Sequence, residues 1–277
     1  MSLSGQLFEP RFFERFVDIE ATHFWFVSRR KVLRRLLAQI TSGRVPGYRV
    51  LEVGCGHGGT LDLLRDVCLR GKIFAFDLEL EGIALAHSTT SAMVMQADAM
   101  GLPFGRDFSV VCLFDVLEHI PDDRQVLRGL FGLLADGGQL ILTVPAGPSL
   151  WSYFDLAVHH QRRYRLAELE DKITAAGFEV EYLTYYMAAL FPLLYLKRWW
   201  SKLAGRFQPG KQSQDYDLTL GELSTPKPFV NRVGALLLAC EPSLIGHRFH
   251  LPIGTSLVAV ARRPSGASAP AVTGGPS

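Results

Sequence analysis

Short apolar runs alternate along this chain with longer stretches in which apolar residues recur every three or four positions. Val50, Leu51 and Val53 form the first run, and Leu61, Leu64 and Val67 follow at helical spacing. Lys72–Asp77, Met93–Ala99, Phe108–Phe114 and Gln139–Pro145 read as four further strands. Phe108–Phe114 is almost wholly apolar, as a strand buried on both faces should be. A helix carrying Val126, Leu127 and Leu130 precedes the fifth strand, and Gly137-Gly138 is expected to stop it. Leu166, Leu169 and Ile173 mark another helix, ended by Gly177, before a sixth strand at Phe178–Tyr182. Thr255–Ala261 supplies a seventh. This alternation predicts an α/β fold, a doubly wound sheet covered on both faces, with its ligand beyond the carboxyl ends of the strands.

The chain outside that pattern divides readily. Residues 1–45 form a helical N-terminal segment, with Phe8–Ile40 helical and Phe12, Phe13, Phe16 and Val17 on one side. Residues 46–184 hold the core, 185–253 an insertion, 254–263 the last core strand, and 264–277 a Pro/Gly/Ser/Ala tail expected to be disordered. Tyr182–Leu196 has no charged residue and is followed by Lys197-Arg198-Trp199-Trp200. Interrupted by Pro192, it is shorter than the roughly 20 residues that span a bilayer. Two readings stand: a helical cap over an acceptor pocket, with Val233–Leu238 as partner helix, or peripheral membrane contact through 185–202. The polar link Gln208–Pro228 reads as mobile.

Between the first strand and its helix lies Glu52-Val53-Gly54-Cys55-Gly56-His57-Gly58-Gly59. Glycines let a ligand approach the backbone, and the helix N-terminus aims free N–H groups at it. Gly54, Gly56 and Gly59 fit the dinucleotide fingerprint G-x-G-x-x-G. Glu52, Gly54, Gly56 and Gly58 fit the acid-x-G-x-G-x-G turn of class I S-adenosylmethionine (SAM) methyltransferases, and in this turn the chain resembles that family. The acid discriminates between the templates, because a carboxylate repels a pyrophosphate but suits an ammonium and a sulfonium. Asp77 lies 23 residues past Gly54 (77 − 54), near the ~20-residue spacing at which an acid reaches ribose hydroxyls.

The resemblance extends from Val50 to Pro145. It implies that Leu78 lies against the adenine face, and that Asp98 accepts from the adenine amino group while the Ala99 N–H meets a ring nitrogen. Asp115-Val116-Leu117-Glu118-His119-Ile120-Pro121-Asp122 resembles the motif after strand 4 in the subgroup containing ubiquinone and menaquinone biosynthesis enzymes. Backbone at Phe114 and Asp115 would then border the methionine moiety, with His119 on the substrate side. The family fold is Rossmann-like and seven-stranded, with an antiparallel last strand. His23-Phe24-Trp25-Phe26 with Arg29 and Arg30 resembles the N-terminal segment of some bacterial members. It reads either as a core-packed helix with solvated arginines or as a lid in which one arginine pairs the methionine carboxylate.

Asp155, His160, Arg162, Arg163 and Tyr164 resemble a segment after strand 5 in bacterial members. His160 is the preferred general base, Asp155 its orienter and His119 the competitor. At 277 residues and +2 formal charge, the chain has no strongly basic face for nucleic acid. Cys55, Cys68, Cys112 and Cys240 are scattered, so neither a metal site nor a disulfide framework is read, and a reducing cytoplasm fits. No basic leader is read at the N-terminus. The expectation is transfer of methyl from SAM to a small-molecule acceptor, hydrophobic or lipid-linked. Two rivals are an NAD-dependent oxidoreductase and a non-catalytic SAM-binding, membrane-associated module.

Overall fold

The computed structural model describes residues 17–89, 92–102, 104–203 and 226–267. The expectations for Phe12, Phe13 and Phe16, for most of the 208–228 link and for the tail beyond Ala267 fall outside the described residues. A seven-stranded sheet runs in the order β3-β2-β1-β4-β5-β7-β6. Its strands are β1 (Arg49–Val53), β2 (Lys72–Asp77), β3 (Met93–Gln96), β4 (Phe108–Phe114), β5 (Leu134–Pro145), β6 (Glu179–Tyr186) and β7 (Ser256–Arg262). The first five are parallel, and β7 is wedged antiparallel between β5 and β6. The strand order reverses between β1 and β4, so the crevice for a ligand opens at the carboxyl ends of those two strands.

Helices α1 (Phe24–Thr41), α2 (Leu61–Val67), α3 (Leu80–Thr89), α4 (Asp123–Leu133), α5 (Tyr153–Ala157) and α6 (Leu166–Ala175) surround the sheet. The insertion adds α7 (Phe191–Leu203), α8 (Pro228–Leu237) and α9 (Glu241–Gly246). Apolar side chains pack on both faces, as the run at β4 requires. On one face Val50, Val110 and Ile141 meet Leu33, Leu36 and Leu64; on the other Leu51, Val111 and Leu140 meet Leu127, Leu130 and Ile173.

Several boundaries differ from the sequence reading. Gly137 and Gly138 do not stop α4, which ends at Leu133, and β5 begins at once with Leu134 opposite Phe108. Gly138 instead lets β5 pass close to its neighbour, since a Cβ there would sit 3.0 Å from the Phe108 carbonyl oxygen, while Gly137 takes a positive φ of +71°. β3 ends at Gln96 rather than Ala99, and β6 continues to Tyr186, so a boundary at 185 falls inside a strand.

The N-terminal helix and the insertion form one cap rather than two modules. Asn231 of α8 accepts from the Phe24 N–H at 2.7 Å and donates to the Thr22 carbonyl at 2.8 Å. Gln39 of α1 donates to the Gly246 carbonyl and accepts from Arg248 at 3.2 Å. The buried Glu241 carboxylate takes the N–H groups of Met187, Ala188 and Ala189, at 2.6, 2.8 and 3.3 Å, where the chain leaves β6 with Met187 left-handed. Of the tail, Gly266 donates to Asp136 at 3.2 Å.

Candidate active site

The glycine turn is built on backbone conformations that side chains disfavour: φ is +73° at Gly54, +51° at Gly56 and +88° at Gly58. A Cβ on Gly54 would lie 2.5 Å from a Val116 methyl. Gly54 and Cys55 both donate to the Phe76 carbonyl, at 2.9 and 3.1 Å, which ties the turn to β2. At the end of β2, the Asp77 carboxylate accepts from the Gly56 N–H at 2.7 Å and from the Glu79 N–H at 2.9 Å. Burial raises its pKa, against the pull of those N–H groups. Leu78 beside it is exposed, as is Asp98, which accepts from the Met100 N–H at 2.8 Å; Ala99 is half-buried.

A cavity of about 790 Å³ opens from this turn. Gly54, Cys55, Gly56, Phe114, Asp115 and Arg29 line one end, and Glu118, His119, His160 and Arg163 the other. Asp77, Leu78, Asp98 and Ala99 border the outer ends of β2 and β3 instead of this wall. Glu52 is also off the wall. Its carboxyl is buried behind the turn and bonded by the Thr60 hydroxyl, while its second oxygen has no hydrogen-bond partner. Burial pushes its pKa up to about 8, only partly offset by Thr60 and Arg29.

Two acids face the cavity beside the turn, Glu20 and Asp115, the latter a non-glycine residue at φ +54°. Such a backbone costs on the order of 1–3 kcal/mol and persists where surrounding structure holds it. Arg29 pairs with Asp115 at 2.9 Å and with Glu20 at 3.5 Å, and its guanidinium lies near the Trp25 and Phe114 rings. Glu20 also pairs with the His57 imidazole at 2.9 Å. Burial would raise the Glu20 carboxyl, but His57 and Arg29 outweigh it and hold the carboxyl below its usual range. Arg30 points elsewhere, donating to the Gly59 carbonyl.

At the far end the expected pair is assembled. His160 Nδ1 lies 2.9 Å from Asp155 Oδ1, and Asp155 is fully buried as the N-cap partner of α5, accepting from Ser152. Arg163 donates to Asp155 at 2.6 Å. Burial alone would raise Asp155, but the His160 hydrogen bond and the Arg163 charge together lower it. His119 stacks edge-on to His160 at 4.8 Å between centroids, and burial, then the neighbouring His160, push its pKa down to about 3. A base that weak is a poor proton acceptor near neutrality.

Glu118, Asp115, Glu20 and Arg163 carried no assigned side-chain role in the sequence. Glu118 lies 3.7 Å from His160 Nε2, too far for a hydrogen bond, and both its buried oxygens are unpartnered. Burial and then Asp115 push its carboxyl well above the usual range. No metal-ligand spacing is legible along the chain, yet one ligand atom each of Glu118, His119 and His160 comes within 4.8 Å of the others, a grouping that could take an ion. Loops 41 residues apart meet here, which no spacing rule detects. Tyr164 of the same segment as His160 donates to Asp123 at 2.8 Å, and Arg162 and Lys172 join that carboxylate. These are fold-holding contacts.

The strand order with its reversed β7, and a glycine turn flanked by acids, define a Rossmann-like class I methyltransferase fold. A family model described as a methyltransferase domain matches residues 21–183, more than half of the chain, and the chain belongs to that SAM-dependent family. A probable S-adenosylmethionine-dependent methyltransferase of Mycolicibacterium smegmatis is 29% identical over 163 residues, covering 57% of this chain and 61% of that protein. A ubiquinone biosynthesis O-methyltransferase of Xanthomonas campestris is 34% identical over 108 residues, 36% of this chain and 44% of the relative. The matched region is therefore less than two thirds of either relative's length. The putative methyltransferase solved in complex with the Haloferax volcanii Trm112 activator shares the fold at a TM-score of 0.58 and 16% identity, over 93% of this chain and 96% of that one. Nothing in these comparisons supports the NAD-dependent alternative.

The residues fit SAM. Asp77 and Asp115 flank the turn, a charge pattern that attracts an ammonium and a sulfonium and repels a pyrophosphate.

Proposed function

We propose that this protein methylates a small acceptor carrying an apolar portion, at a nucleophile that must lose a proton, a hydroxyl being the simplest case. One observation carries the reading: a single cavity joins the glycine turn to a buried Asp155–His160 pair. SAM, when bound, supplies an electrophilic methyl on a sulfonium and leaves as S-adenosylhomocysteine. Asp77 would hold the ribose and Asp98 with the Ala99 N–H the adenine, with Leu78 against its face. Gly54, Cys55, Gly56 and Phe114 would border the methionine moiety by backbone. Arg29 would take its carboxylate and Asp115 its ammonium.

Asp155 fixes the His160 ring by its Nδ1 edge, leaving Nε2 as the atom that receives the acceptor's proton. Arg163 keeps Asp155 ionised, which in turn stabilises the imidazolium that forms. His119 acts as a neutral neighbour that shapes the pocket. Leu190, Leu194 and Leu237 give the cavity an apolar wall, which favours a hydrophobic or lipid-linked acceptor. Most of the rate would come from holding donor and acceptor in line, worth several kcal/mol. Calorimetry with S-adenosylhomocysteine tests the foundation. Measurable heat that disappears in Asp77→Ala supports the reading, whereas no heat, or heat only with a nicotinamide dinucleotide, rejects it.

A further inference from the structure

The insertion helices carry exposed apolar side chains, of which Leu193 and Val233 border the cavity while Leu196, Trp200, Phe229 and Leu236 do not. On α7, Leu193, Leu196 and Trp200 follow at i, i+3 and i+7; on α8, Phe229, Val233 and Leu236 follow at i, i+4 and i+7. Each series makes one stripe along its helix. All six side chains are 40% to 76% exposed. Single exposed apolar residues are ordinary, but two stripes on helices that share one cavity wall are not.

Charge selects the occupant. Residues 187–200 and 226–253 carry Lys197, Arg198, Lys227, Arg232 and Arg248 against one acid, Glu241. That acid is buried and committed to the backbone of Met187–Ala189. Among the described residues, this face therefore offers aromatic and aliphatic groups bordered by cations and no exposed carboxylate. A second copy would bring like charge against like charge. A surface of anionic phospholipid answers both features: phosphates meet the cations, and Trp200 and Phe229 enter the boundary between headgroups and acyl chains.

The helices suit lying on a bilayer. At 13 residues α7 is about 20 Å long, short of the ~30 Å hydrocarbon core. The stretch Pro228–Gly246 is long and apolar enough to cross by composition, but it turns at residues 238–240 between α8 and α9, and α9 packs against α1.

We propose that α7 and α8 form a docking face for an anionic membrane surface. The same two helices line the cavity through Leu194, Lys197, Val230 and Leu237, so an apolar acceptor would enter between them from the lipid side; this second clause rests on the methyltransferase reading above.

The test is sedimentation of the full chain with vesicles of phosphatidylcholine alone or mixed with phosphatidylglycerol. The wild type should pellet with the mixed vesicles and lose that binding as salt rises. The double variant Trp200→Glu/Leu236→Glu should bind at least about tenfold more weakly. Neither residue lines the cavity, so S-adenosylhomocysteine affinity by calorimetry should be unchanged, which also shows that the variant folds. Absence of binding to mixed vesicles overturns the proposal, as does equal binding to both kinds. Self-association of the wild type that the double variant abolishes, without vesicle binding, reassigns the face to a second copy and equally overturns it. Vesicle binding without S-adenosylhomocysteine binding would keep the docking face and reject the methyltransferase reading, so the two failures are distinguishable.

Discussion

The two ends of the cavity are made differently. At the glycine turn, the site is mostly backbone: positive-φ glycines, N–H groups of Gly56 and Glu79 on Asp77, and carbonyls of β2. The turn and its ties come from β1, α2 and β2, within about thirty residues of chain, and Glu20, Arg29, Phe114 and Asp115 join it from farther away. At the acceptor end the site is side chains: Asp155 with His160 and Arg163, Glu118 from the loop after β4, and a wall from α7 and α8. A backbone site needs only the local turn to form. A side-chain site needs distant loops to arrive at one place and stay there through their own hydrogen bonds.

The sharpest way to break this contrast is His160→Ala. Turnover should fall about 10²- to 10⁴-fold, while calorimetric affinity for S-adenosylhomocysteine stays at the wild-type value. An equal loss of affinity would mean that the ends are not separable.

Glu52 probes the backbone end through pH. The fold keeps its carboxyl protonated up to about 8, whereas unfolded it loses its proton near 4.5. The folded state thus holds the extra proton across that window, and stability falls as pH rises through it, by up to about 4 kcal/mol at the upper end. Urea midpoints at the two ends of the window should differ less in Glu52→Gln than in the wild type; an unchanged difference would show that Glu52 titrates normally.

Gly54→Ala combines φ +73° with a Cβ 2.5 Å from Val116. A loss of about 1–3 kcal/mol in thermal or denaturant unfolding is expected, and wild-type stability would show that the turn tolerates a side chain. Asp77→Ala should weaken S-adenosylhomocysteine binding by about 1–3 kcal/mol with acceptor KM unmoved, because its effect belongs to one end only. The smallest effect is expected of Asn231→Ala, which cuts the tie between α8 and Thr22–Phe24 at a cost of about 1 kcal/mol. It should raise acceptor KM more than it weakens S-adenosylhomocysteine, and the reverse order would place the cap over the cofactor end instead.

Much of this was readable before any coordinates. Val50–Val53, Lys72–Asp77 and Phe108–Phe114 are strands where the apolar runs put them, since buried parallel strands carry a dense local signal. The Asp155–His160 contact was also within reach, because the two residues are only five apart around α5. Glu52 stands at the strand end that the sequence indicates, with its carboxyl buried off the cavity wall: alternation along β1 says nothing about how deep a side chain lies once α2 closes over it. The glycines at 137–138 looked like a helix stop because nothing local distinguishes a stop from a strand that must pass close to its neighbour. Tyr164 is tied to Asp123, 41 residues away, a pairing that no local spacing shows.

By itself, the sequence determined the sheet, the glycine turn and the acids at its strand ends, because those depend on periodicity and on backbone conformations that particular residue types permit or forbid. Only the tertiary structure decided that Asp115 rather than Glu52 faces the cavity, that Glu118 stands unpartnered beside His160, and that α1 and the insertion close as one cap. Those outcomes turn on burial and on pairings across long stretches of chain, and both quantities exist only after the chain has folded.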